Sequence, residues 1–349
     1  MKIDISRISK NLKEQGQKVL YLLLATLLLC SHDLYLKMDT YFLPLNQEAT
    51  LSLYNGTFEN SENIITRDRM LDASIVANGE RIAINPNQWR DQDSTITKLP
   101  FTAGEAGTYV VGVSTKARNI ELTADKFNSY LEHDGVLDIL DYRTKNDLLD
   151  QDAVESYEKH VKAIYQVGDV RSNDWNVVLG YPIEFVPQVN PYEKYSGEQL
   201  EVQLLLDGKP LTNQLVYADY IPSTSTHDHN GTHSHSHAQN NNDGHSHSED
   251  GHTHTSGQKL RTNDKGMVNV NLPEDGIYYL RTIHMVTVTD SNELTHRSKW
   301  ATLTFEVSHQ HDETTHTHDK DEDGIPTWGF IVGSLLLIGL LFLIFRKKD

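Results

Sequence analysis

The sequence predicts a mainly β protein: two immunoglobulin-like β-sandwich domains, the first with a helical insertion, followed by one C-terminal transmembrane helix. Three observations lead there. Short runs of alternating apolar and polar residues recur between turn residues, as in sandwich strands. Residues 121–165 change to helical spacing. Residues 328–345 form one uncharged, mostly apolar run near the end of the chain.

The N-terminus reads as an export leader. Lys2, Arg7, Lys10, Lys13 and Lys18 precede an apolar run from Val19 to Cys30. That length suits a signal-peptide core and is short for a spanning helix. Residues 1–31 are therefore a signal peptide or a retained N-terminal membrane segment. Cleavage after Ser31 makes His32 the new N-terminus. Lipidation at Cys30 is the alternative, although Leu29 precedes it where a small residue is preferred.

The first sandwich is assigned to residues 32–189. Leu51 and Leu53 fall on one face of Ala49 to Tyr54. Ile75 to Asn78 and Arg81 to Ile84 flank a Gly-containing turn and read as a hairpin. Gly107 to Val113 is a further strand. The helical insertion, 121–165, contains two candidate helices. In Ala124 to Asp138, Phe127, Tyr130, Leu131 and Leu137 stand near helical spacing. In Asp152 to Ile164, Val154, Tyr157, Val161 and Ile164 stand at i, i+3, i+7 and i+10. Tyr181 to Val186 returns to strand.

Asn190-Pro191 marks the boundary to the second sandwich, 190–307. Its strands are Gln199 to Leu206, Gln214 to Tyr220, Val268 to Leu272, Tyr278 to Met285 and Thr302 to Val307, with tight turns at Asp207-Gly208 and Asn263 to Gly266. A His/Asp-rich linker, 308–327, leads to the spanning segment 328–345. Trp328 stands at its outer edge, and Arg346, Lys347 and Lys348 stand in the 346–349 tail. The positive side stays in the cytoplasm. The expected location is the inner membrane, single-pass, with the bulk of the chain in the periplasm or outside the cell.

Chemistry concentrates in the histidines. The chain has 18, and nine of them lie within residues 226–257: His227, His229, His233, His235, His237, His245, His247, His252 and His254. The remaining residues of this stretch are mostly Asn, Ser, Asp, Gly and Thr, so no packed structure is expected without a ligand. Four more precede the membrane segment: His309, His311, His316 and His318, among Asp312, Asp319, Asp321 and Asp323. Neutral imidazole suits Ni, Co, Zn and Cu. A His-x-His tract offers several nitrogens without a prepared pocket, which favours collection over selectivity. With one cysteine, Cys30, there is no intramolecular disulfide and no multi-thiolate site. The net charge of −18 disfavours nucleic acid and favours cations.

Candidates outside the tracts are His32, His133, His160 and His284. At a cleaved N-terminus, the His32 imidazole and α-amine chelate together, with Asp33 adjacent. His133 and His160 fall on the two expected helices, with Glu132 and Asp134 flanking His133. His284 lies in the strand YLRTIHM. No hydrolase, zinc-protease or phosphate-loop motif is present, so no enzyme activity is expected.

Several stretches together resemble a known family. They are HDLY at 32–35, FNSYLEHDGVL at 127–137, YEKHVKAIYQVGD at 157–169, LGYPIEFVPQVNPY at 179–192, LLLDGKP at 204–210 and YLRTIHM at 279–285. Their order and spacing are similar to an uncharacterised bacterial family described as the periplasmic component of ABC-type cobalt/nickel uptake systems. The resemblance covers about residues 32–307 and implies two β domains and divalent-metal handling. The histidine tract and the C-terminal anchor depart from it. The expected function is capture of a divalent transition metal and support of its uptake by a permease. The alternatives are a structural or adhesive surface module, or a metal-detoxification buffer.

Overall fold

The computed structural model describes residues 33–223 and 257–309. The strands are β1 (Asp33–Lys37), β2 (Phe42–Leu43), β3 (Glu48–Gly56), β4 (Met70–Ala77), β5 (Glu80–Ala83), β6 (Arg90–Gln92), β7 (Ile96–Thr102), β8 (Gly107–Thr115) and β9 (Arg118–Leu122). Two helices follow, α1 (Ala124–His133) and α2 (Leu137–Lys145). Then come β10 (Ala153–Val167), β11 (Ile183–Pro187), β12 (Gln199–Leu206), β13 (Lys209–Pro210), β14 (Leu215–Pro222), β15 (Gln258–Arg261), β16 (Met267–Asn271), β17 (Gly276–Thr287) and β18 (His296–Val307). The protein is mainly β, as its alternation predicts.

The strands form three sheets. One runs β1-β3-β7-β6. The central sheet runs β15-β14-β17-β18-β10-β8-β4-β5, with β2 and β9 also on β10. The third runs β11-β12-β13, with β16 on β12. Side chains directly opposite on neighbouring strands share a face. Thr302 and Thr304 of β18 donate to the main-chain oxygens of Leu34 and Leu36 in β1, at 2.8 and 2.6 Å. Lys162, opposite Leu303, points the other way and donates to Phe185 O of β11 at 3.0 Å. The central sheet is thus covered on both faces. That explains why every residue of β8 is buried.

Two departures from the expected architecture follow from this layering. Residues Asp152 to Ile164 are not a helix: they lie in or beside β10, a strand of 15 residues. Apolar side chains at i, i+3, i+7 and i+10 fit a helix stripe. A strand buried on both faces needs no alternation, so its pattern does not exclude that stripe. The expected boundary at 189/190 falls inside one compact unit that ends at His309. β10 and β18, from opposite sides of that boundary, pair in parallel from Glu155↔His296 to Ala163↔Thr304.

Local signals held where turn chemistry is explicit. Asn78 and Gly79 both have positive φ, 53° and 76°, and close the β4–β5 hairpin. α1 starts at Ala124, whose N–H donates to Asp152 Oδ1 at 2.8 Å in place of a cap from Thr123. Just past its end at His133 and the C-cap Asp134, Gly135 has φ 75°. A Cβ there would stand 2.5 Å from the Tyr217 hydroxyl, so only glycine lets the α1–α2 turn close onto β14. Among the described residues no helix is long and apolar enough to cross a membrane. Both expected membrane segments lie outside the described residues.

Candidate metal centre

The helical pair packs on a small second core. Phe127, Tyr130 and Leu131 of α1 meet Leu122, Ala153, Ile283, Met285 and Trp300. Buried charge collects around it. Arg281 Nε stands 2.6 Å from Asp33 Oδ2, both side chains 2% exposed. Arg281 Nη2 donates to Asp134 O at 2.8 Å, which ties the end of α1 to β17. Burial works against the Arg281 charge and is the largest single influence, but Asp33, Tyr35, Asp134 and Tyr217 together outweigh it and hold the guanidinium's pKa above its ordinary value. Tyr130 donates to Glu155 Oε1 at 3.2 Å, and Ser298 donates to the same oxygen. Burial pushes the Glu155 carboxyl up to about 7 against those two hydrogen bonds. Lys159, over the Trp300 ring at 5.0 Å, is pushed down to about 8 by burial.

A cleft of about 200 Å³ opens beside this core, between the α1–α2 turn and the start of β14 and end of β17. Asp134, Asp138, Gln214, Tyr217, His284 and Met285 are among its lining residues. Tyr217 donates to Gly135 O at 3.1 Å and fixes one wall. Arg261 of β15 grips Asp138 through two 2.9 Å contacts at the rim. His284 is half-buried, with Nδ1 3.0 Å from Gln214 Oε1. Burial lowers its pKa, and Lys299 adds to this while Asp207 opposes it.

The expected ligands divide into four described residues and the rest. His133 ends α1, half-exposed, with Nδ1 3.0 Å from Asp134 Oδ1. A carboxylate in that position orients an imidazole as it does behind metal ligands. His160 lies on β10 and not on a helix, which removes the helix-to-helix pairing with His133. It is buried, with Nδ1 2.9 Å from Ser114 Oγ and Nε2 3.6 Å from Glu158 Oε1. His284 lines the cleft. His309, just past β18, contacts Asp275. His32, His227, His229, His233, His235, His237, His245, His247, His252, His254, His311, His316 and His318 lie outside the described residues. Among the described residues no group of three or more His, Cys, Asp or Glu is placed to hold a metal ion.

Sequence reasoning missed His296, Glu155 and the Asp33–Arg281 pair. His296 is buried, with Nδ1 2.7 Å from Thr295 Oγ1 and its ring 4.7 Å from Phe127. Burial, helped by Arg143, lowers its pKa to about 4. A charge inside a strand ordinarily reads as an outward face. The available signal was its company: Arg281 and Lys162 are the charged residues within the largely apolar runs YYLRTIHM and HVKAIYQV.

The profile of a family described as a domain of unknown function, DUF4198, matches residues 29–286. No curated protein matches the chain. Among solved structures, the chain is similar to the D0-D1 domain of intimin at 10% identity and TM-score 0.18, covering 78% of this chain and 97% of that one. The titin Ig tandem domains A164-A165 align at 11% identity and TM-score 0.17, covering 80% and 98%. Murine CEACAM1b aligns at 6% identity and TM-score 0.17, covering 80% and 100%. Overlaps at these scores carry no argument.

Proposed function

We infer that this chain, which belongs to the DUF4198 family of unknown function, is an extracytoplasmic metal-binding protein that captures divalent transition ions and supports their uptake by a transporter. One observation carries the reading: nine histidines fall within residues 226–257, between β14 and β15, in a background of small polar residues. Two or three imidazoles from such a tract bind Ni, Co, Zn or Cu in the general order of divalent-ion affinity. The residues at 328–345, with basic residues after them, are read as an anchor that keeps captured ions near a permease and raises their local concentration there. The β framework is read as two sandwich-like units that share the central sheet. No catalysis is proposed.

The test is equilibrium dialysis of the intact protein against Ni, Co, Zn and Cu, beside a variant with the nine tract histidines changed to Gln. The expected outcome is loss of most bound ions with the fold unchanged. Equal stoichiometry in the two proteins would remove the reading. Growth separates uptake from detoxification: an uptake protein lacking the tract fails on scarce metal, whereas a detoxification buffer fails in excess.

A further inference from the structure

We propose that His284 anchors a single-ion exchange site in the cleft between the α1–α2 turn and the β14–β17 strands, taking one borderline divalent ion of the Cu, Ni, Co or Zn class. The proposal rests on the metal-capture reading and adds to it a second, folded station.

The hydrogen-bond network sets the imidazole's tautomer. The Gln214 amide nitrogen faces three oxygens: Leu215 O at 3.3 Å, Thr282 Oγ1 at 3.0 Å and Ile283 O at 3.0 Å. Thr282 donates its own proton to Leu215 O at 2.6 Å, so its oxygen accepts from the amide. The amide is thereby fixed with Oε1 toward His284 Nδ1. An amide oxygen only accepts, so Nδ1 carries the proton. Nε2 is left with its lone pair and makes no hydrogen bond among the described residues. A protonated Nδ1 held by a neighbouring acceptor, with the other nitrogen open, is the arrangement that orients ligating histidines.

The surroundings decide what such a nitrogen takes. Lys299 stands opposite His284 across β17 and β18, but Asp207 neutralises it at 2.9 Å. Asp138 at the rim adds a carboxylate that Arg261 holds in place. The cleft is open, and one imidazole leaves the other coordination positions to water or to an incoming ligand. A site with one firm protein ligand binds weakly and exchanges its ion readily. That suits handing ions over, whereas the histidine tract suits gathering them.

The experiment uses Cu(II) as the probe on the full-length protein with His32, His133 and the histidines of residues 226–257 and 308–318 changed to Gln. The expected result is one weak Cu(II) step whose electron paramagnetic resonance spectrum shows coupling to an imidazole nitrogen. H284Q should lose both the step and that coupling. An unchanged affinity and spectrum in H284Q would overturn the site. K299E leaves His284 in place and adds a carboxylate opposite it. It should tighten Cu(II) binding several-fold, and unaltered affinity would count equally against the proposal. Failure of the capture reading shows elsewhere, as equal ion stoichiometry before and after the tract histidines are changed, a comparison that does not involve His284.

Discussion

Lys162 and Glu184, in the main core, are each 1% exposed and completely bonded. Lys162 donates to Glu184 Oε2, Val177 O and Phe185 O, all at 3.0 Å. Glu184 also accepts from the backbone N–H groups of Leu179, Gly180 and Tyr181. Under the helical pair, Glu155 and His296 are also buried, yet Glu155 Oε2 and His296 Nε2 have no hydrogen-bond partner among the described residues. Buried polar groups specify a structure when satisfied and weaken it when not. The first pair locks β10 to β11. The second leaves the smaller core sensitive to protonation.

The hardest way to break this contrast is Lys162→Met. It leaves a buried carboxylate without its cation, a change that typically costs about 3–5 kcal/mol. Denaturant unfolding should show the loss in the midpoint. A loss below about 1 kcal/mol would mean the three backbone donors alone satisfy Glu184.

The locked pair also shows where sequence reading runs out. The β4–β5 hairpin was legible because a glycine, Gly79, marks its turn, although the turn falls on Asn78-Gly79, one residue before the expected place. The β10 strand was not, because Val154, Tyr157, Val161 and Ile164 match a helix stripe and only long-range pairing with β18 decides between the two. That same pairing joins segments on either side of Asn190-Pro191, where local sequence suggested a boundary. The metal-binding reading of the histidine tract rests on composition alone. The role of Gln214 behind His284 was not legible, since the two are 70 residues apart and meet only through adjacent strands.

Protonation sharpens the comparison, with opposite signs for the two groups of the smaller core. His296 has a folded pKa of about 4 against an ordinary 6.5. Between those values the unfolded chain binds more protons, so stability falls as pH falls, by up to about 3 kcal/mol across the window. Glu155 has a folded pKa of about 7 against 4.5. Between those values the folded chain binds more protons, so its contribution is lost as pH rises. The two slopes oppose one another in the wild-type protein from about pH 4.5 to 6.5. H296Q should therefore lose stability as pH rises through this range, and E155Q should gain it. Parallel profiles for the two variants would show that these groups do not titrate the smaller core.

The mildest break is at the rim. Arg261 joins the β14–β15 hairpin to α2 through the twin contacts with Asp138, and it donates to Asn213 O at 2.6 Å. Both side chains are well exposed, 38% and 59%. Solvent therefore screens the pair, and its geometry is its main advantage. Arg261→Ala should cost no more than about 1 kcal/mol, and less in high salt. A loss above about 2 kcal/mol would exceed what an exposed pair supplies. It would mean that the contact carries the docking of α1 and α2 onto the sheet, with the smaller core opening when the rim is cut. Hydrogen exchange separates these cases: a local role frees amides near Asp138 alone, whereas a docking role also frees those around Phe127 and Tyr130 on the buried face of α1.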